Sequence, residues 1–279
     1  MRKIKYVVYS SDLEGIPFIK ESKKVGRKCI PVIDTRSAVY VATGICAQNN
    51  ESVVVCVNSS NASRSVFSGM TEAFYRNLQV ALVTFGQDLD YSKELSDIVN
   101  NHYIVSNGDE IEQLLSEEYP MHIEVLCDGQ HIDKIECSKT QSLLCSLLDS
   151  DKYLYIGQGI EIANNQYRCK TVQGGMPNCY EGALSNILGA SLARVKNRYI
   201  GLVSEDEFIH DINTLGNINI NELLFFIVVG LKENKIIMDY ARSLLFSVDS
   251  IKEEDMVAKK LEKLVNNKKK TLLMIYKED

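Results

Sequence analysis

The chain has 279 residues, 45% of them hydrophobic, which is enough apolar material for one large core or two medium ones, and the length favours two. Its 31 basic and 37 acidic side chains give a formal charge of −6, which argues against a nucleic-acid backbone as partner, since that normally requires a clustered basic face. The one basic run, Lys268-Lys269-Lys270, falls in a predicted loop and is expected to be a solvated turn.

In chain order, Ile4 to Tyr9 has the composition of a buried strand, and a polar turn then leads to a short lysine-rich helix. A second strand, Cys29 to Ile33, runs into Asp34-Thr35-Arg36-Ser37, where Asp34 can cap a helix carrying Ala38, Val39, Val41, Ala42, Ile45 and Cys46 at helical spacing. Val53 to Val57 is a β-branched run that ends in Asn58-Ser59-Ser60-Asn61-Ala62. Its next helix carries Val66, Phe67, Met70, Ala73 and Phe74 on one face. A strand, a small polar turn and a helix can hold an anion at the helix N-terminus, although Asn and Ser there also serve as ordinary caps. Val80 to Phe85 is a further strand, the region of Leu95, Ile98 and Val99 is polar and helical, and Pro120 to Val125 closes the half with His122 as a packed sheet histidine. Strands alternating with helices predict α/β organisation with a parallel sheet, complete as a first domain, 1–127.

Residues 128–150 contain a polar turn and a helical patch with Leu143, Leu144, Leu147 and Leu148, and are expected to form a connector. The pattern then restarts in 151–279 with Tyr153-Leu154-Tyr155-Ile156-Gly157, a helix from Gly182 to Ala193, and a strand from Tyr199 to Val203. That strand feeds the acidic turn Ser204-Glu205-Asp206-Glu207-Phe208-Ile209-His210-Asp211. The apolar run Leu223 to Val229, an amphipathic helix through Met256, Leu261 and Val265, and a last strand, Thr271 to Tyr276, follow. A turn at the C-terminal end of a parallel strand is where such sheets present ligand-binding groups. From residue types alone, the acidic turn is equally a metal site or an exposed acidic loop.

Eight cysteines (Cys29, Cys46, Cys56, Cys127, Cys137, Cys145, Cys169 and Cys179) include several inside apolar strands or helices, and none forms a CxxC pair. Reduced, buried thiols in a cytoplasmic protein are therefore expected in place of disulfides or a zinc site. No apolar h-region follows Met1-Arg2-Lys3 and the apolar runs are of strand length, so neither a signal peptide nor a membrane span is expected.

The order of these motifs resembles the thiamine diphosphate-dependent enzymes, the first half their pyrimidine-binding module and the second their diphosphate-binding module. Within that superfamily it is most similar to the menaquinone-pathway carboligase type that joins 2-oxoglutarate to isochorismate. The family's Asp-Glu-Arg-Ser helix start, Ser-Gly-Thr-Ala turn and Pro-Val-His strand correspond to Asp34-Thr35-Arg36-Ser37, Asn58-Ser59-Ser60-Asn61-Ala62 and Pro120-Met121-His122. Its Ile-Asp-Gly-Leu-Leu-Ser helix start and its Gly-Asp-Leu-Ser turn correspond to Tyr180-Glu181-Gly182-Ala183-Leu184-Ser185 and Ser204-Glu205-Asp206-Glu207. The family's middle domain is missing, with the short connector in its place.

The resemblance implies thiamine diphosphate and Mg²⁺ as cofactors and a small 2-oxo acid as substrate. It places Ser59, Ser60, Asn61, Tyr180, Glu181, Ser204 and Asp206 near the cofactor, with Met176 or Tyr180 as the apolar wedge beneath it. Three positions depart from the family. Thr35 replaces the glutamate that polarises the aminopyrimidine, a task that needs a carboxyl group. Glu205 takes the place of the metal-binding aspartate, and Gly230-Leu231 that of the asparagine ligand. His210, just past the acidic turn, is a candidate cleft residue, weighed against the commoner structural role of a lone histidine. Because the superfamily's cofactor lies between the first module of one chain and the second of another, a dimer is implied, either with itself or with an intact paralogue. The expectation is thus a degenerate partner subunit. The alternatives are an active decarboxylase or carboligase with a non-standard site, or a cleft turned to another nucleotide, which lacks the support of any glycine-rich phosphate fingerprint.

Overall fold

In the computed structural model the described residues are 4–13, 16–58, 65–86, 92–115, 118–127, 134–163, 166–173, 180–217 and 220–277. They form two compact units, Met1–His131 and Ile132–Asp279. Each is built on a six-stranded, wholly parallel sheet with helices on both faces, so the chain is α/β with two doubly wound modules.

The first sheet comprises β1 (Tyr6–Ser10), β2 (Lys28–Val32), β3 (Val53–Asn58), β4 (Val80–Gly86), β5 (Asn101–Val105) and β6 (Met121–Leu126), in the order β2-β1-β3-β4-β6-β5. The strands β3 and β4 are buried along their whole length, as a parallel sheet covered on both sides requires. Helices α1 (Pro17–Lys24), α2 (Thr35–Asn49) and α3 (Phe67–Tyr75) divide between the faces. Val39, Ala42 and Met70 pack with Val53, Val55 and Leu82 on one, while Phe18 and Ile19 pack with Val54, Val83 and Ile123 on the other. Phe67, expected with Val66 on the inner face of α3, is 44% exposed: it is the first residue of the helix, and of the two only Val66 is buried.

The second sheet comprises β7 (Lys152–Ile156), β8 (Lys170–Gln173), β9 (Arg198–Ser204), β10 (Leu224–Gly230), β11 (Ser247–Lys252) and β12 (Thr271–Tyr276), in the order β8-β7-β9-β10-β12-β11. Counted from its own first strand, this is again 2-1-3-4-6-5, so the two halves share one topology. The flanking helices here are α4 (Ser138–Leu147), α5 (Ala183–Ala193), α6 (Glu205–His210), α7 (Lys235–Ser243) and α8 (Ala258–Val265). Residues of the stretch expected to be a connector are built into this unit: Leu144 and Leu148 share a core with Ile156, Leu202, Val229 and Leu261. No helix among the described residues is long and apolar enough to cross a membrane.

Candidate functional site

Open α/β sheets bind ligands outside the carboxyl ends of their strands, at the point where neighbouring connections leave in opposite directions. In the order 2-1-3-4-6-5 that point lies between the first and third strands of each module. In the first unit it is marked by Ser10 and Asn58, the last residues of β1 and β3, both buried. The Ser10 hydroxyl is buried and makes no hydrogen bond among the described residues. Ser59, Ser60 and Asn61, expected here, lie outside the described residues.

Thr35 is the first residue of α2 and only 2% exposed. Asp34 caps that helix, accepting from the Arg36 N–H at 2.9 Å and from the Ser37 hydroxyl at 2.7 Å. Elsewhere in this unit a cavity of about 1050 Å³ lies between α1 and the ends of β4 and β6, walled by Phe18, Phe85 and Val125 and edged by an Arg27–Glu112 ion pair. None of the described candidate site residues lines it.

The second unit's switch point lies between β7 and β9. Ser204 ends β9 and caps α6 through a capping box: its hydroxyl accepts from the Glu207 N–H at 3.3 Å, while Glu207 Oε2 accepts from the Ser204 N–H at 2.9 Å and hydroxyl at 3.1 Å. The same carboxylate reaches across to the turn after β7, where Oε1 accepts from the Gln158 N–H at 2.7 Å. The Gly159 N–H also donates to it. Burial raises the Glu207 pKa, and these four donors pull the other way by favouring the ionised form. Glu207 is 1% exposed, which corrects the picture of an exposed acidic loop.

Two glycines make room for that carboxylate. A Cβ at Gly157 would lie 2.2 Å from Glu207 Oε2, and one at Gly159 would lie 2.2 Å from Ser204 Oγ. The turn itself is held from the stretch expected to be a connector. Ile135 donates its N–H to the Gly159 carbonyl at 2.9 Å and accepts from Glu161 at 3.0 Å. Fully buried Gln141 donates to the Glu161 carbonyl at 2.7 Å and accepts from the Ala163 N–H at 3.0 Å.

Glu205 points towards the neighbouring strand β10. Its Oε1 accepts from the Asn234 side-chain amide at 2.6 Å, and its Oε2 would lie 2.3 Å from a Cβ on Gly230. Burial raises its pKa, opposed by the bond from Asn234 and reinforced by the charge of Asp206. Asp206 is likewise raised by burial and held down by His210, one turn further along. The His210 side chain is 7% exposed, with Nε2 3.9 Å from Glu181 Oε1. Tyr180 is buried just before α5, while Met176 lies outside the described residues. The second unit thus brings Ser204, Glu205, Asp206, His210 and Glu181 to one edge of its sheet. Thr35 belongs to the other unit.

No protein-family model and no curated protein matches the sequence. Among solved structures, the thiamine diphosphate-dependent 4-hydroxybenzoylformate decarboxylase of Rhodococcus jostii RHA1 aligns over 99% of this chain and 97% of its own, with 7% identity and a TM-score of 0.40. A likeness at that level assigns no residue of one protein to a role in the other.

The residues themselves decide whether a magnesium-held diphosphate fits this edge. A hard cation needs oxygen ligands with lone pairs turned towards it. One Glu205 oxygen faces an amide donor and the other packs over Gly230, while Leu231 offers an apolar side chain that is 68% exposed. The N–H groups of the β7 turn that would face a phosphate already face Glu207. Among the described residues, the candidate metal ligand and the backbone donors of this edge are thus already engaged within the chain. Sequence reasoning singled out neither Glu207 nor Asn234 as functional, although Ser204-x-x-Glu207 is a legible capping-box pattern.

Proposed function

We propose that this chain is a thiamine diphosphate-enzyme-like protein whose own diphosphate-binding edge has been rebuilt as internal structure, and that it acts as a partner subunit in a dimeric assembly, with itself or with an intact paralogue. The observation that carries the reading is at Glu205, where the carboxylate expected to hold magnesium is hydrogen-bonded by the Asn234 amide and seated on Gly230. Two modules of identical strand order, with the corresponding motifs at the carboxyl edges of their sheets, support the relationship to this superfamily. The finer likeness to the menaquinone-pathway carboligase type rests on the sequence motifs. Buried Thr35 at the position of the activating glutamate agrees with lost chemistry, since a hydroxyl does not ionise near neutral pH as a carboxyl does.

Calorimetric titration of the purified chain with thiamine diphosphate in the presence and absence of MgCl₂, paired with sedimentation analysis, tests this. The expected result is no magnesium-dependent binding and a dimer, or a monomer that dimerises with an intact homologue. Magnesium-dependent binding with decarboxylation of a 2-oxo acid would establish an active enzyme instead.

A further inference from the structure

We propose that the Glu207 carboxylate is a built-in ligand of the second module's switch point, an anion supplied by the chain itself to the N–H cradle between β7 and β9. This deepens the proposed function, because it names what stands where a diphosphate would.

An ordinary capping box satisfies two donors within one helix turn. Glu207 does that with Ser204, and then gathers the Gln158 N–H from 49 residues away, on the turn after a different strand. That turn is shaped for an occupant with bulk. Gly157 and Gly159 are the only residue type that leaves space there, since a Cβ on either would run into the Glu207 carboxylate or the Ser204 hydroxyl. The cradle is also stiffened from behind by Ile135 and Gln141, neither of which touches Glu207 by any hydrogen bond given above.

Such a cradle is an anion-binding concavity: oriented backbone N–H groups with no side chain between them and the guest. In a module that takes its anion from solution, those donors wait for the ligand and are satisfied by water without it. Here they are satisfied as the chain folds. The occupant is covalently attached, so it fills the cradle intramolecularly, without the concentration dependence of a free phosphate. The consequence is a module that is complete without a ligand and that does not gain stability from phosphate compounds.

Chemical rescue tests the assignment. Glu207→Ala keeps the helix propensity of the position and removes the carboxylate. The melting temperature is expected to fall by about 5 °C or more. Formate or acetate at about 0.1 M should restore a substantial part of that loss, because a small carboxylate re-enters a cradle of fixed N–H donors. Chloride at equal ionic strength should not, and none of these anions should shift the wild-type chain. No recovery with any of them, or equal recovery with chloride, overturns the proposal. Should Glu207→Ala fail to fold, the shape-conserving Glu207→Gln provides a second measurement. The backbone amide proton of Gln158 should then move markedly upfield in the nuclear magnetic resonance spectrum as its charged acceptor is lost, and an unchanged resonance overturns the assignment. These results are separable from the calorimetry above: absent rescue would leave the lack of cofactor binding standing, and magnesium-dependent cofactor binding with intact rescue would overturn only the degenerate-subunit reading.

Discussion

Asn234 uses both ends of its side-chain amide to tie two structural elements together. Its Oδ1 accepts from the Ile237 N–H at 3.1 Å and so caps α7, while its Nδ2 donates to Glu205 Oε1 at 2.6 Å. The start of α6 is thereby linked to the start of α7 across the end of β10. A charge-assisted bond of this kind, to a partly buried carboxylate, is stronger than one between neutral groups.

Asn234→Asp separates the two roles. Aspartate caps a helix as well as asparagine does, so α7 keeps its N-cap. The donor facing Glu205 becomes a second carboxylate, and two like charges at hydrogen-bonding distance cannot both ionise cheaply. The variant should lose about 1–3 kcal/mol in urea unfolding at pH 7. It should recover part of that loss at lower pH, or with millimolar Mg²⁺, which the paired carboxylates can bind. A variant as stable as the wild type would show that the Glu205 contact contributes nothing.

The sequence made the inner strands and one edge strand, β2, plain and left the other edges obscure. The central strands β3, β4, β9 and β10 are covered on both faces and appear as continuous apolar runs. The edge strands β5 and β11, and β8 at the far side of the second sheet, were not anticipated. Their sequences, Asn-His-Tyr-Ile-Val, Ser-Val-Asp-Ser-Ile-Lys and Lys-Thr-Val-Gln, mix polar with apolar residues because one side of each strand has no neighbour in the sheet. The site divides in the same way. The Asp34 cap and the Ser204-x-x-Glu207 box are local and legible. The meeting of Glu207 with Gln158 depends on β7 pairing with β9, which spacing alone does not reveal.

The acidic cluster should leave a pH signature at Asp206. Burial raises its pKa above the ordinary value of 3.8, with His210 opposing. The folded chain therefore binds this proton more tightly than the unfolded chain does. Its contribution to stability is most favourable below the unfolded pKa and declines as pH rises through the folded value. The difference in unfolding free energy between the wild type and Asp206→Asn cancels most other titrations. That difference should move against the wild type as pH increases from about 4 towards 7. A difference that moves in its favour would mean that His210 outweighs burial.

In the first unit, buried polar groups are stacked where β4, β5 and β6 meet. Thr84 Oγ1 and His122 Nε2 are 2.9 Å apart, the His122 and His102 rings lie 4.8 Å apart, and His102 Nε2 is 3.3 Å from Glu124 Oε2. Thr84 and His122 are wholly buried, which agrees with a packed sheet histidine. Thr84→Val preserves shape and removes the hydroxyl, leaving a buried ring nitrogen without that partner. Urea unfolding should show a loss of about 1–3 kcal/mol, with the fold retained by circular dichroism.

The cysteines offer a check on burial that needs no substitution. Alkylation requires the thiolate, and its rate follows both the thiol's pKa and its exposure. Burial pushes the Cys137 thiol up to about 12, against a partly compensating bond from Gln141, and raises Cys56, which is completely buried in β3, well above its ordinary value. Cys145 is only partly buried, with its sulfur 2.8 Å from the Gln166 carbonyl. Iodoacetamide at pH 8 followed by peptide mapping should therefore modify Cys145 while sparing Cys56 and Cys137, and should reach those two only after denaturant is added. Rapid native labelling of Cys137 would mean that the helix α4 opens from the sheet, and with it the Gln141 clamp that fixes the turn carrying Gln158 and Gly159.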